Sequence, residues 1–238
     1  VTMMDDFVQV PFGDDVTPAG FDLIEFADNP EPRCACVLLL DVSGSMKGEA
    51  IAALNAGLQQ FAADVREDSL ASKRLEIAVV TFGDTVDVVA EFGSAKAFYP
   101  QPLKAKGSTP MGEAINVAID LVGARQTQYR SAGITPYRPW IFMVSDGAPT
   151  DSWDRAARRV EEGERRKSFS FFAVGVDGAD TDTLGQIAVS APVMLRGLAF
   201  GTMFRWLSSS LSAVSRSTTG QAVTLTNPAG PAGWATIV

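Results

Sequence analysis

The apolar run Cys36-Val37-Leu38-Leu39-Leu40 has no polar interruption, which is the pattern of a strand buried on both faces and predicts a central place in a sheet. From Lys47 onward the apolar positions become Ile51, Leu54, Leu58, Phe61 and Val65, spaced by three or four residues as on one face of a helix. Leu75 to Phe82 and Val86 to Phe92 are rich in Val, Ile and Phe and flank Gly83-Asp84-Thr85, so two strands in a tight hairpin are expected, with an antiparallel edge. Gly107-Ser108-Thr109-Pro110 then precedes a helix carrying Met111, Ile115, Ile119 and Val122 on one side, the proline suiting its first turn. Trp140 to Val144 repeats the buried-strand pattern, runs into Ser145-Asp146-Gly147-Ala148-Pro149-Thr150-Asp151, and is followed by a charged helix from about Trp153 to Lys167. A strand over Phe169 to Val176, a short helix near Thr183 to Ala188, a strand near Val193 to Leu195 and a last helix through Phe204, Leu207, Leu211 and Val214 complete the series. Alternation of this kind predicts an α/β fold: an open, mostly parallel, doubly wound sheet with one antiparallel edge strand.

Length and composition narrow this picture. A chain of 238 residues with 46% hydrophobic content suits one large domain over residues 31–220, preceded by an acidic arm over residues 1–30. Residues 221–238 form a Pro/Gly-rich tail, packed on the domain or trailing it. No apolar stretch approaches the roughly 20 residues a bilayer span needs, so no membrane partner is expected. The opening Val1-Thr2-Met3-Met4-Asp5-Asp6 lacks the basic-then-apolar order of a secretory signal, and a cytoplasmic location is the expectation. The formal charge of −8 sits in the arm, where Asp5, Asp6, Asp14, Asp15, Asp22, Glu25, Asp28 and Glu31 precede the first base, Arg33. An acidic surface disfavours nucleic acid, whose binding needs clustered Lys and Arg.

Two residue types matter by their scarcity. There is no histidine, which removes the commonest general base and every Ser-His or Cys-His nucleophile. Cys34 and Cys36 are the only cysteines; in an extended segment their Cα atoms stand about 6 to 7 Å apart, beyond easy disulfide reach, so they are expected as reduced thiols. Without further soft ligands they do not make a zinc site.

Ligands of open α/β sheets bind at the carboxyl ends of the strands, and three polar loops fall there. Asp41, Ser43 and Ser45 alternate just past the first buried strand, so a turning backbone can aim one carboxylate and two hydroxyls at a common point, Gly44 giving the turn its freedom. Thr109 and Asp146, from the two other loops, add a hydroxyl and a second carboxylate. An all-oxygen set selects a hard cation, and one with only two carboxylates favours Mg²⁺, with Mn²⁺ or Ca²⁺ also compatible. Two carboxylates balance the charge of the ion and leave it electrophilic enough to attract an Asp or Glu carboxylate of a partner protein. The same loop residues also suit plain capped turns, and Asp151 suits a helix cap better than a ligand.

These residues resemble the von Willebrand factor type A domains, whose metal-ion-dependent adhesion site carries D-x-S-x-S plus a distant Thr and Asp. Asp41, Ser43 and Ser45 match the triplet, Thr109 the threonine and Asp146 the second aspartate. The resemblance implies the family's Rossmann-like fold, with Ser43, Ser45 and often Thr109 ligating Mg²⁺ directly and Asp41 and Asp146 acting partly through water. Cys36-Val-Leu-Leu-Leu-Asp-Val-Ser-Gly-Ser-Met, Tyr137-Arg-Pro-Trp-Ile-Phe and Ser145-Asp-Gly-Ala-Pro-Thr-Asp are similar to the bacterial TerY-like branch, associated with tellurium resistance and chemical stress. Relatives there are linked with a protein kinase and a metal-dependent protein phosphatase, which the resemblance implies as partners.

The expected function is therefore a non-enzymatic, metal-dependent protein interaction module. The alternative is a Mg²⁺-dependent phosphohydrolase with Asp41 as nucleophile, although dehalogenase-like phosphatases place a second aspartate where Ser43 stands, and the P-loop spacing is absent. Arg155, Arg158, Arg159, Arg165, Arg166 and Lys167 either dock an acidic partner or form a solvated face interleaved with Glu161, Glu162 and Glu164. An acid of the arm, such as Glu25 or Asp28, is a further candidate to enter the metal site of a neighbouring copy and cause self-association.

Overall fold

A computed structural model describes Phe26, residues 29–230 and residues 233–237. The elements are β1 (Cys34–Asp41), α1 (Glu49–Glu67), α2 (Ala71–Arg74), β2 (Leu75–Phe82), β3 (Val86–Ser94), α3 (Met111–Ser131), β4 (Trp140–Ser145), α4 (Asp154–Arg165), β5 (Ser170–Gly175), α5 (Thr181–Ile187), β6 (Val193–Leu195), α6 (Phe200–Arg216) and β7 (Ala235–Ile237). They build a seven-stranded sheet in the order β3-β2-β1-β4-β5-β6-β7. The five inner strands are parallel, and the reversal of strand order between β1 and β4 makes a crevice at their carboxyl ends.

β1 explains the two layers around the sheet. Its eight residues are all buried, and alternate side chains point to opposite faces. Cys36, Leu38 and Leu40 pack with Leu54, Leu58 and Phe61 of α1 and Phe204 and Leu207 of α6. Val37 and Leu39 pack with Met111 and Ile115 of α3, Val160 of α4 and Leu184 of α5. Each such leucine removed from water contributes about 1.5–3 kcal/mol. α1 and α6 approach closely at Gly57, where an added Cβ would stand 3.1 Å from the Phe200 backbone, so alanine there would push the helices apart. β3, by contrast, alternates half-buried and exposed residues, as an edge strand should.

Both edges are antiparallel, not one. β3 pairs with β2 as expected, and β7 pairs antiparallel with β6 through Val193↔Ile237 and Leu195↔Ala235. The tail therefore closes the far edge of the sheet. Trp234 is buried and meets the Trp206 ring edge-on at 5.6 Å, an anchor that a three-residue strand inside a Pro/Gly-rich stretch does not announce. At the other end of the chain only Phe26 of the acidic arm's first 28 residues is described, so self-association through Glu25 or Asp28 lies outside the described residues.

A second polar cluster is buried at the amino ends of the strands. Glu76 of β2 accepts hydrogen bonds from Arg33 Nε (3.1 Å), Arg125 Nε (2.6 Å) and the Tyr129 hydroxyl (2.5 Å). Phe26 covers it, with the Arg125 guanidinium 4.9 Å from its ring centre. Both cysteines are free and buried, and burial, with the Glu76 charge nearby, pushes the Cys34 thiol up to about 12. No helix among the described residues is long and apolar enough to cross a membrane.

Candidate functional site

Strand register assembles the site before any side chain is considered. Leu40 pairs with Val144, so the residues that follow each, Asp41 and Ser145, leave the sheet side by side at its carboxyl edge. The loop after β1 is tied to the segment before α3 by Gly44 N–H to Gly107 O (2.9 Å) and Lys106 N–H to Val42 O (2.7 Å). The loop after β4 is tied to it by Thr150 N–H to Thr109 O (2.9 Å) and by the Thr150 hydroxyl accepting from Thr109 N–H (3.1 Å). Gly107 has φ 81°, a left-handed conformation that glycine adopts without a steric penalty, and it packs directly on Asp84. Backbone bonds thus hold three loops from distant parts of the chain at fixed spacing.

Within that frame the five residues singled out from the sequence come to one place. Ser43 Oγ lies 2.9 Å from Ser45 Oγ, and Asp146 Oδ1 lies 2.8 Å from Ser45 Oγ and 3.5 Å from Ser43 Oγ. Thr109 Oγ1 stands 3.3 Å, and Ser45 Oγ 4.0 Å, from the point a Cβ on Gly147 would occupy, so both hydroxyls border the same glycine. Asp41, Ser43, Thr109 and Asp146 are buried, whereas Ser45 is exposed. The cluster accordingly has a closed floor and an open rim.

Asp41 is the floor. Its Oδ1 accepts from Ser43 N–H (2.8 Å) and its Oδ2 from the Ser145 hydroxyl (2.5 Å). Burial raises its pKa above the ordinary 3.8, opposed by the bonds from Ser145 and Ser43, and the Asp146 charge raises it further. Ser145 was not singled out from the sequence, because a serine closing a buried strand carries no motif; only the register with β1 reveals it. Asp151 behaves as a cap, but for α3 and not for the helix that follows it: its carboxylate accepts from Gly112 N–H (3.0 Å) and Glu113 N–H (2.8 Å). That leaves the Thr109 hydroxyl uncommitted to capping and turned toward Gly147.

The donor set fits a small hard cation. Ligand oxygens about 2.1 Å from an octahedral ion stand about 3.0 Å apart at neighbouring positions, the size of the Ser43, Ser45 and Asp146 triangle. Among the described residues no three of His, Cys, Asp and Glu gather in a metal-sized group, so hydroxyls have to supply much of any coordination. Neither Asp41 nor Asp146 has an ion-pair partner among the described residues. Two carboxylates are thus buried close together with no Lys or Arg paired to either, an arrangement that an added cation relieves.

Residues 36–196 match the family model of the von Willebrand factor type A domain. The chain belongs to the von Willebrand factor type A domain family. Domains of this family commonly mediate protein–protein interaction and adhesion, some of them through a metal, and are generally non-enzymatic. Among solved structures, the pilus adhesin SpaC from Lactobacillus rhamnosus GG is similar at 12% identity and TM-score 0.62, over 78% of this chain and 32% of that one. A von Willebrand factor type A protein from Catenulispora acidiphila is similar at 19% identity and TM-score 0.57, over 76% and 43%. The ArnB paralog VWA2 from Sulfolobus acidocaldarius is similar at 18% identity and TM-score 0.51, over 76% and 45%. At these identities the likeness is one of fold, and the chain spans under half the length of each. No curated protein matches the chain.

Proposed function

We propose that this von Willebrand factor type A domain holds Mg²⁺, or Mn²⁺ or Ca²⁺ in its place, through Asp41, Ser43, Ser45, Thr109 and Asp146, and so grips an Asp or Glu carboxylate on another protein. When bound, the ion supplies a positive centre with a position left for an external carboxylate. The observation that carries this reading is the pairing of two buried carboxylates, neither with a Lys or Arg partner among the described residues, with a hydroxyl rim that opens to solvent at Ser45. Ser43, Ser45 and Asp146 supply the nearest oxygens, while Asp41, bonded at both of its own, sets the electrostatics and the loop conformation. Ser43, standing where dehalogenase-like phosphatases place a second aspartate, speaks against the phosphohydrolase alternative.

The motifs similar to the TerY-like branch support a more specific role: a cytoplasmic adaptor in a bacterial tellurium-resistance or chemical-stress system, with a protein kinase and a metal-dependent protein phosphatase of that system as partners. The test is capture of partners from cell extract on the immobilised chain, in Mg²⁺ and in chelator, for the wild type and Asp41→Ala. The expected result is capture in Mg²⁺ by the wild type alone. Capture indifferent to both chelator and substitution would overturn the proposal, and phosphate release abolished by Asp41→Asn would establish the alternative.

A further inference from the structure

A cavity of about 910 Å³ lies at the amino ends of β4 and β5, roughly 17 Å along β4 from the Asp41 end of the sheet. Its walls are of two kinds. Trp140, Phe169 and Phe172 supply aromatic surface, while Arg130, Arg138, Arg166 and Lys167 bring four cations to the lining, to which no described residue adds a carboxylate. Arg138 is bonded to Glu164 (2.5 Å) and Arg166 to Glu162 (2.7 Å), but Arg130 and Lys167 have no carboxylate partner among the described residues. Net positive charge therefore remains at the mouth.

Two observations mark this cavity as more than a gap. Gln126 lines it with only 9% of its surface exposed, and its amide nitrogen has no hydrogen-bond partner among the described residues, although a buried donor left unmatched is costly. Lys167 has φ 57° at the end of α4, in a turn closed by Lys167 N–H to Glu164 O (3.0 Å) and Ser168 N–H to Gly163 O (2.8 Å). That left-handed position usually falls to glycine, so lysine holds its charge at the mouth against the local backbone preference.

We propose that the cavity binds a small organic anion, an apolar or aromatic body bearing a carboxylate or phosphate, with Gln126 Nε2 donating to it and Arg130 and Lys167 neutralising its charge. The volume is that of a small-molecule site, and aromatic walls with a few converging polar groups are its usual composition. The proposal is independent of the Asp41 cluster and of any metal there.

The probe is anilinonaphthalene sulfonate, an aromatic anion whose fluorescence rises in apolar surroundings, titrated into the full chain with inorganic phosphate as competitor. Saturable one-to-one binding is expected. Gln126→Leu should weaken it about tenfold. Lys167→Gly should weaken it about threefold while leaving Tm unchanged or raised, because glycine suits that backbone, so a loss of fold cannot mimic a loss of site. Affinity unmoved by both substitutions, or no one-to-one binding at all, would overturn the proposal. Binding that appears only in a variant of the 238-residue chain with Asp14, Asp15 and Asp22 changed to Asn would assign the cavity to the acidic arm and overturn it equally.

Discussion

Replacing Asp41 by Asn separates the charge of the site from its shape. The amide oxygen can still accept from Ser43 N–H, and the amide nitrogen can donate to Ser145 Oγ, so both hydrogen bonds of the loop survive. Only the buried negative charge is lost. In the metal-free protein that charge is unfavourable, because burial and the neighbouring Asp146 raise the Asp41 pKa above 3.8. A carboxyl that holds its proton more tightly folded than unfolded contributes its full stability below the unfolded value, and loses it as pH rises through the raised folded value. Metal-free wild type should therefore lose stability relative to Asp41→Asn as pH climbs from about 4 toward neutrality. Mg²⁺ should reverse the ranking. At a free concentration 100 times its Kd, an ion bound only by the folded state adds about 2.7 kcal/mol. For a chain of this size each kcal/mol moves Tm by about 2–4 °C, so the wild type should gain about 5–11 °C and the variant, with one carboxylate left, under about 2 °C. Calorimetry of both proteins at pH 7, in chelator and across a Mg²⁺ series, reads both effects. A variant that keeps the Mg²⁺ shift, or is less stable than wild type in chelator, would refute this account of the site.

Ser145→Ala removes the donor to Asp41 Oδ2 without touching the rim, and Mg²⁺ affinity measured by calorimetric titration should fall about tenfold; an unchanged affinity would mean that Ser145 does not position the carboxylate. Asp151→Ala uncaps α3 and should cost about 1 kcal/mol in urea unfolding while leaving Mg²⁺ affinity within about twofold, whereas a large loss of affinity would make it a ligand. Glu76→Ala strands Arg33 and Arg125 in the interior and should cost about 3–5 kcal/mol in the same assay, with a loss below about 1 kcal/mol arguing that water reaches the cluster.

What the sequence displayed and what it hid follow from how each feature is encoded. β1 and β4 were legible because strands covered on both faces need unbroken apolar runs, and such runs leave only the strand ends for polar groups. Asp41, Ser43 and Ser45 stand at one such end, and turn chemistry fixes their spacing, so that part of the candidate site could be read locally. Ser145 could not, since its significance lies in the pairing of Leu40 with Val144, which no local pattern reports. The last turns of α3 were equally opaque: Arg125, Gln126 and Tyr129 belong to no apolar stripe, and they are buried because Glu76 and the large cavity wait across the interface. β7 was hidden for the opposite reason, three residues being too few to establish a period.

The two buried polar clusters sit at opposite ends of the same strands, and their compositions predict opposite behaviour. Glu76 is surrounded by Arg33, Arg125 and Tyr129, so its charge is answered within the chain and nothing from solution is required. Such a network stiffens the amino ends of the strands, and removing one member exposes the cost of burying the others. Asp41 and Asp146 are answered by hydroxyls and a backbone N–H, which orient a carboxylate but bring no positive charge. Neither has a Lys or Arg partner among the described residues, and the rim is open to solvent at Ser45, so on the proposed function a cation from solution supplies the missing charge. The structural cluster should therefore be indifferent to chelator and sensitive to the loss of a single side chain. The Asp41 cluster should respond to chelator and tolerate Asp41→Asn in its absence, and that contrast within one protein separates a site from a scaffold.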